Sequence, residues 1–102
     1  MTTHPDYTGP MIVMVKVDGC GFCHKALPEF VEAANRVPST RFVVIDHEEP
    51  ESKADKTLAD RLLKRSNGYP TIARVGRGDK VLKYFKGDLN AAKITQFASK
   101  RG

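Results

Sequence analysis

The most restrictive feature of this 102-residue sequence is a nearly continuous run of large apolar side chains close to its N-terminus. Residues 11–15 read Met-Ile-Val-Met-Val, and Val17 extends the run. A strand with one face exposed to solvent alternates apolar and polar residues, whereas a strand covered on both faces is apolar throughout. The run therefore predicts a central strand in a sheet with helices on both sides.

The residues that follow predict a helix, a second strand and a second helix. From Cys20 onward, apolar positions recur at helical spacing until Pro38 blocks continuation, and Pro28 is expected to bend this helix. Phe42 to Ile45 predicts a second buried strand, which a right-handed crossover makes parallel to the first. The second helix is marked by Ala54, Leu58, Leu62 and Leu63, with Glu48, Glu49 and Glu51 near its start and Lys64, Arg65 and Asn67-Gly68 at its end.

The last third of the chain predicts a hairpin and a final helix. Residues 71–75 and 81–85 are strand-like, and the segment 76–79 between them contains two glycines, so these strands are expected to be antiparallel. Asp88 or Asn90 can cap the last helix. The predicted fold class is α/β, a four-stranded mixed sheet in the order βαβαββα with flanking helices.

Composition places the chain among soluble globular domains. It has 40% hydrophobic and 28% charged residues and no apolar run long enough to span a membrane, so we expect one domain over 1–102, with 1–10 as a short extension. The net charge of +5 is concentrated after residue 73, but this part lacks the interleaved aromatic residues of single-strand binders, and nucleic acid is not an expected partner. The polar first ten residues do not resemble a secretory signal, which favours a cytoplasmic location.

The two cysteines indicate redox chemistry. Cys20 and Cys23 stand three positions apart, between the first strand and the start of the first helix. Unpaired backbone N–H groups and the positive end of the helix dipole favour the thiolate of Cys20, which makes it the nucleophile. Cys23, one helical turn further on, can then resolve a mixed disulfide.

Two alternative interpretations of the pair carry less weight. The cysteines could be a buried structural pair. They could also be half of a zinc site, but the remaining ligands would have to come from three histidines without paired spacing, so no metal is predicted.

The motif and its surroundings resemble the thioredoxin family over residues 11–100. The resemblance rests on Cys20-Gly21-Phe22-Cys23, Pro28, Asp46, Tyr69-Pro70-Thr71 and Gly87, which stand in the family's order. It implies a thioredoxin-like fold without the N-terminal βα unit of full-length thioredoxins. It also implies a cis peptide bond before Pro70, a backbone of Tyr69 that pairs with an extended substrate, and a rim formed by Gly19, Phe22 and Gly87.

The chain departs from the family at several positions near the dithiol. The acid and the lysine that thioredoxins bury are replaced by Met14 and Phe42, and Lys16 and Gly19 occupy the places of the usual tryptophans. We hypothesise that Lys16 or His24 supplies part of the missing electrostatics by stabilising a thiolate or passing a proton.

The resemblance implies a thiol–disulfide oxidoreductase, expected as a monomer that acts on disulfide-containing proteins. Its redox group is the Cys20–Cys23 disulfide, with a reductase or small thiol as electron source and no bound cofactor. A glutathione-dependent reductase resembling glutaredoxin is one alternative, although the glycine pair of that family is reduced to Gly87. A thioredoxin-fold interaction module with an incidental dithiol is the other.

Overall fold

The described part of the chain contains four strands and three α-helices. The structure, a computed structural model, describes residues 10–66 and 68–99. The elements are β1 (Met11–Lys16), α1 (Gly21–Arg36), β2 (Arg41–Asp46), α2 (Lys53–Leu63), β3 (Thr71–Val75), β4 (Val81–Tyr84) and α3 (Ala91–Ser99). The predicted order βαβαββα is confirmed.

The sheet is mixed and has the strand order β2-β1-β3-β4. β1 pairs in parallel with β2, with Lys16 opposite Asp46, while β3 is antiparallel to both β1 and β4. β1 is therefore the interior strand that its apolar run predicts, and all five of its residues from Met11 to Val15 are buried. The carboxyl ends of β1 and β2 meet at one edge of the sheet, where the dithiol follows.

The alternation of side chains along β1 divides the interior into two cores. Met11, Val13 and Val15 face α2, while Ile12 and Met14 face α1 and α3. The largest fully buried side chain of the described residues is Phe30 on α1, whose ring meets Phe42 edge-on with centroids 5.2 Å apart. Helices thus cover both faces of the sheet, as the sequence predicts.

One sequence-based expectation needs correction. β2 lies at the edge of the described sheet, so its α1-facing residues Phe42 and Val44 are only partly buried. α2 begins at Lys53, after the acidic cluster as predicted, and the Ser52 hydroxyl caps the helix by accepting the N–H of Asp55 at 3.1 Å. The cap expected at residues 67–68 falls partly on Asn67, which lies outside the described residues.

α3 is tied to its neighbours at both ends. At its start, the side chain of Asn90 accepts the N–H of Lys93, and the carboxylate of Glu29 on α1 accepts the N–H of Ala91 at 3.0 Å. Near its end, the buried guanidinium of Arg74 on β3 donates to the carbonyl oxygen of Phe97 and lies 5.1 Å from the centroid of that ring. Of the two caps considered from sequence, Asn90 is the one used.

Candidate dithiol site

Cys20 is the N-cap of α1, and its sulfur completes the first turn of the helix. A turn closed by the N–H of Cys20 and the carbonyl of Val17 leads out of β1, and α1 starts at the next residue. The Sγ of Cys20 accepts the backbone N–H of Cys23 at 3.1 Å. This N–H is one of the donors that a helix start leaves unpaired, so the local fold directs it at the sulfur.

Cys23 has the opposite environment. Its side chain is 3% exposed. Burial raises the pKa of the Cys23 thiol to about 11, and a hydrogen bond with Cys20 acts in the same direction, against the N–H of Val17 and the charge of Lys16. Both cysteines are free thiols in the structure. The pair therefore consists of an accessible sulfur and a buried thiol that keeps its proton at neutral pH.

The loop before β3 brings Tyr69 and Pro70 to the dithiol. The Tyr69–Pro70 peptide bond is cis, as the resemblance implies. The carbonyl oxygen of Tyr69 lies 3.6 Å from the Sγ of Cys20. The hydroxyl of Thr71 lies 2.6 Å from the carbonyl oxygen of Gly68 and 2.7 Å from the hydroxyl of Ser66, which ties the loop together below the site.

Tyr69 is also held by a hydrogen-bonded chain that sequence reasoning missed. Its hydroxyl lies 2.6 Å from Nδ1 of His47, and Nε2 of His47 lies 2.7 Å from a carboxylate oxygen of Asp60. Because an ionised carboxylate only accepts, the neutral His47 ring carries its hydrogen on Nε2 and accepts the tyrosine hydroxyl at Nδ1. Hydrogen bonds lower the pKa of Asp60; the one from Lys56 has the largest effect, and the one from His47 follows. The sequence did contain one signal for His47: it directly follows β2, at the carboxyl ends of the parallel strands β1 and β2.

Lys16 forms an ion-paired cluster at the same edge. Its Nζ lies 2.8 Å from Asp18 and 3.3 Å from Asp46, its partner in the β1–β2 register. The hydrogen bond to Asp18 is the main reason that the pKa of Lys16 is raised. Partial burial acts to raise the pKa of Asp46, but the N–H of Glu48 and the Lys16 ammonium outweigh it, so the pKa is lowered. Met14, two residues earlier on β1, is fully buried in the apolar core.

The other predicted site residues lie around the dithiol with different contacts. Phe22, between the two cysteines, is 69% exposed, and the neighbouring Gly19 is exposed as well. Nε2 of His24 lies 2.6 Å from the carbonyl oxygen of Asp18, so the ring closes the turn before the motif. Gly87 has a φ of 144°, which favours glycine.

An open cleft of about 500 Å³ adjoins the cis-proline loop. Tyr69, Pro70 and Gly87 line it together with the end of β4. The structure thus brings Cys20 and Cys23 next to Tyr69, and it places Gly87 in the cleft that Tyr69 and Pro70 line, whereas Gly19 and Phe22 flank Cys20 in sequence. Within residues 10–66 and 68–99, no group of three His, Cys, Asp or Glu side chains is placed to hold a metal ion.

No helix among the described residues combines the length and the apolar composition required to cross a bilayer.

Comparisons with known proteins agree with this architecture. The chain is 31% identical over 83 residues to a protein disulfide-isomerase of Datisca glomerata, a match that covers 80% of this chain and 16% of that protein. The chain therefore spans about one sixth of the curated relative's length. No protein-family model matches the chain.

Solved structures with the same fold include thioredoxins and thioredoxin-domain fragments. The J-Trx1 fragment of ERdj5 has a TM-score of 0.67 at 25% identity and matches 88% of this chain and 41% of that chain. Chloroplastic thioredoxin z has a TM-score of 0.63 at 25% identity, with 88% and 75% covered. Fasciola hepatica thioredoxin has a TM-score of 0.65 at 22% identity, with 90% and 81% covered.

The resemblance drawn from the sequence is confirmed at the level of fold and of motif spacing. The chain therefore has the thioredoxin fold, with a Cys-x-x-Cys motif at the start of its first helix.

Proposed function

We propose that this protein reduces disulfide bonds in other proteins through Cys20 and Cys23. The observation that carries the proposal is the position of Cys20: its sulfur caps a helix, accepts a backbone N–H at 3.1 Å and lies beside the carbonyl oxygen of Tyr69. The helix start therefore holds this sulfur in a fixed position, next to the cis-proline loop along which a substrate chain can run.

The proposed reaction consists of two exchange steps. The Cys20 thiolate attacks one sulfur of the substrate disulfide, forming a mixed disulfide and releasing the other substrate sulfur as a thiolate. Cys23 then loses its proton and attacks the Cys20 sulfur, which releases the second substrate thiolate and leaves the Cys20–Cys23 disulfide. The substrate gains two electrons and the protein loses two, so an external reductase or small thiol must restore the dithiol.

The raised pKa of Cys23 fits the second role. A thiol with a pKa of about 11 does not compete with Cys20 for the substrate at neutral pH. The resolving step therefore needs a proton acceptor, and the thiolate released from the substrate is one. In this proposal the redox equivalents reside in the cysteines, the protein acts as a monomer in a reducing cytoplasm, and it binds no cofactor.

Substrate contacts are assigned to five residues. The backbone of Tyr69 pairs with an extended substrate segment next to Pro70, and Gly87 leaves room at the rim of the cleft. Phe22 and Gly19 supply an exposed surface on the other side of the dithiol. A site of this kind binds substrate backbone more than a particular side chain.

Lys16 is the better supported of the two proposed tuning residues. Its charge acts on Cys23, whereas the ring of His24 is engaged with the carbonyl of Asp18. Replacing each with Ala and following thiolate absorbance against pH tests both. We expect Lys16→Ala to raise the pKa of Cys23 further and His24→Ala to leave it in place. An unchanged titration in both variants rejects the tuning role.

The activity is tested by reduction of insulin disulfides with dithiothreitol as the electron source. Cys20→Ser is expected to be inactive, and Cys23→Ser is expected to accumulate a mixed disulfide on Cys20 that is visible by mass spectrometry. A wild-type protein that stays inert with several reductants would instead support the interaction-module alternative. Activity only on glutathione mixed disulfides would support the glutaredoxin-like one.

The direction of the reaction is tested by the reduction potential of the dithiol. A value near that of thioredoxin, about −270 mV, supports reduction, whereas a value near that of DsbA, about −120 mV, indicates an oxidant.

A further inference from the structure

Two adjoining clefts form a continuous surface that leads away from the dithiol. The first, described above, runs along Tyr69 and Pro70. The second has a volume of about 530 Å³ and lies between the end of α2 and β4. Arg65 and Tyr84 line both clefts, so the two are contiguous. We call this surface the basic track.

All the charged side chains that line the basic track are cations. These are Arg61, Lys64, Arg65, Lys80, Lys83 and Lys86, and each of them is exposed. No Asp or Glu among the described residues lines either cleft. Subtracting these six from the 17 basic residues of the sequence leaves 11 against 12 acidic residues. The six positive charges of the track therefore account for the whole net charge of +5, because the rest of the chain carries one more acidic than basic residue.

General features of helices and strands explain some of these cations but not their arrangement. Basic residues near the end of α2 interact favourably with the helix dipole, and a lysine on an edge strand such as β4 discourages unwanted pairing. Neither reason applies to Lys86, which follows β4 and lines the cleft with Pro70. Neither reason explains why carboxylates are missing from both clefts, since acidic residues elsewhere form ion pairs with Lys16, Arg36 and Lys56.

We propose that the basic track binds an acidic segment of the polypeptide that carries the substrate disulfide. The inference rests on the proposed function, because it is the reaction at Cys20 that brings a substrate chain to the Tyr69–Pro70 end of the track. A segment that leaves this end passes Lys86 and Arg65 first and reaches the other four cations later. Carboxylates at these places gain charge complementarity and are attracted from a distance.

A polypeptide fits the surface better than a nucleic acid does. The track starts at Tyr69, whose carbonyl oxygen lies 3.6 Å from the Cys20 sulfur, and the backbone pairing proposed for Tyr69 requires a peptide. Its first cleft combines the two cations with apolar walls from Pro70, Phe85 and Leu89, which suits side chains of mixed character. Binding of an oligonucleotide is treated below as an outcome of the test.

The test compares two disulfide-containing peptides that differ only in the residues flanking one cysteine, Glu in one and Lys in the other. We expect wild-type kcat/KM to be roughly tenfold higher for the Glu peptide at low salt, because each exposed ion pair contributes only about a two- to fivefold preference. The preference should shrink towards unity at about 0.5 M salt, where exposed charges are screened. Equal kcat/KM for both peptides at low salt overturns the proposal.

Charge-reversal variants test whether the preference for the Glu peptide arises at the basic track. The double variant Arg65→Glu, Lys86→Glu is expected to lose the preference for the Glu peptide or to invert it, with little change for the Lys peptide beyond a modest gain. The matched control is Arg36→Glu at the far end of α1, roughly 24 Å of helix away from Cys20. It makes the same change of charge per site and should alter both peptides alike. A control variant that shifts the preference as strongly as the double variant attributes the effect to net charge and rejects the track.

Direct binding separates failure of the track from failure of the proposed function. The same peptides with Ser in place of Cys are labelled and titrated with the protein, which needs no catalysis. Salt-sensitive binding of the acidic peptide that the double variant loses supports the track even where no disulfide is reduced. Absence of that preference rejects the track even if insulin is reduced. Tighter binding of an oligonucleotide of equal charge, in competition with the acidic peptide, overturns the choice of a polypeptide.

Discussion

The two cysteines are predicted to differ sharply in their rate of alkylation at neutral pH. In a Cys20→Ser variant the only thiol is Cys23, and burial, the largest cause of its raised pKa of about 11, is retained. Compared with a free cysteine of pKa about 8.5, the thiolate fraction at pH 7 is then about 300-fold smaller. A thiolate of higher pKa is intrinsically more nucleophilic, which recovers about tenfold. Ionisation alone therefore slows Cys23 by about 30-fold, and its 3% exposure slows it further.

The assay is iodoacetamide labelling followed by mass spectrometry, with free cysteine as the reference. The matched variant Cys23→Ser leaves Cys20 as the only thiol, half-buried at the helix start, and should react at least about 30-fold faster than Cys23 does. Unfolding both variants in guanidinium should bring the two rates together. If native Cys23 reacts within about threefold of free cysteine, the buried thiol is wrongly assigned, and with it the division into nucleophile and resolving residue.

Further predictions concern stability and the cis-proline loop. Because the pKa of Cys23 is raised from 9.0 to about 11, the reduced protein binds more protons than its unfolded chain in that interval, so it should lose up to about 3 kcal/mol of unfolding free energy between pH 9 and 11. Urea titrations should show a smaller loss for Cys23→Ala. Phe30→Ala is expected to cost about 3–5 kcal/mol in the same titrations, since the ring is fully buried. Glu29→Ala should cost about 1–2 kcal/mol through the lost cap on α3, and an unchanged melting temperature would contradict the cap. Tyr69→Phe removes one hydroxyl hydrogen bond, worth about 1 kcal/mol, and should also lower kcat/KM for disulfide reduction, because the loop that carries Tyr69 adjoins the Cys20 sulfur.

The order of the elements was predictable because it depends on local patterns. The apolar run of β1, the helical spacing after Cys20 and the glycine-containing turn each act within one segment of the chain. The start of α2 has a local cause too: the acidic cluster precedes the helix as predicted, and the Ser52 hydroxyl sets its first turn by accepting the N–H of Asp55. The edge position of β2 depends instead on the whole sheet, which no single segment specifies.

The site was predictable only where one motif contains it. The three-residue spacing of Cys20 and Cys23 predicts a redox-active pair. The cis peptide bond before Pro70 is implied by the family resemblance. The chain from Tyr69 through His47 to Asp60 joins a loop, a strand end and a helix, so its members lie up to 22 positions apart in sequence. Nothing in their spacing links them. The pairing of Lys16 with Asp46 is of the same kind, because it depends on the register between β1 and β2.

The buried Arg74 has a consequence for how the molecule opens. The last turns of helices commonly fray first, since they cost little to melt. Here, melting the last turn of α3 would remove the Phe97 carbonyl and ring from a guanidinium that is 4% exposed, and would leave that cation in the apolar interior. The backbone amides in the last turn of α3 should therefore exchange with solvent deuterium together with those of β3, in one cooperative unit rather than as a loose end.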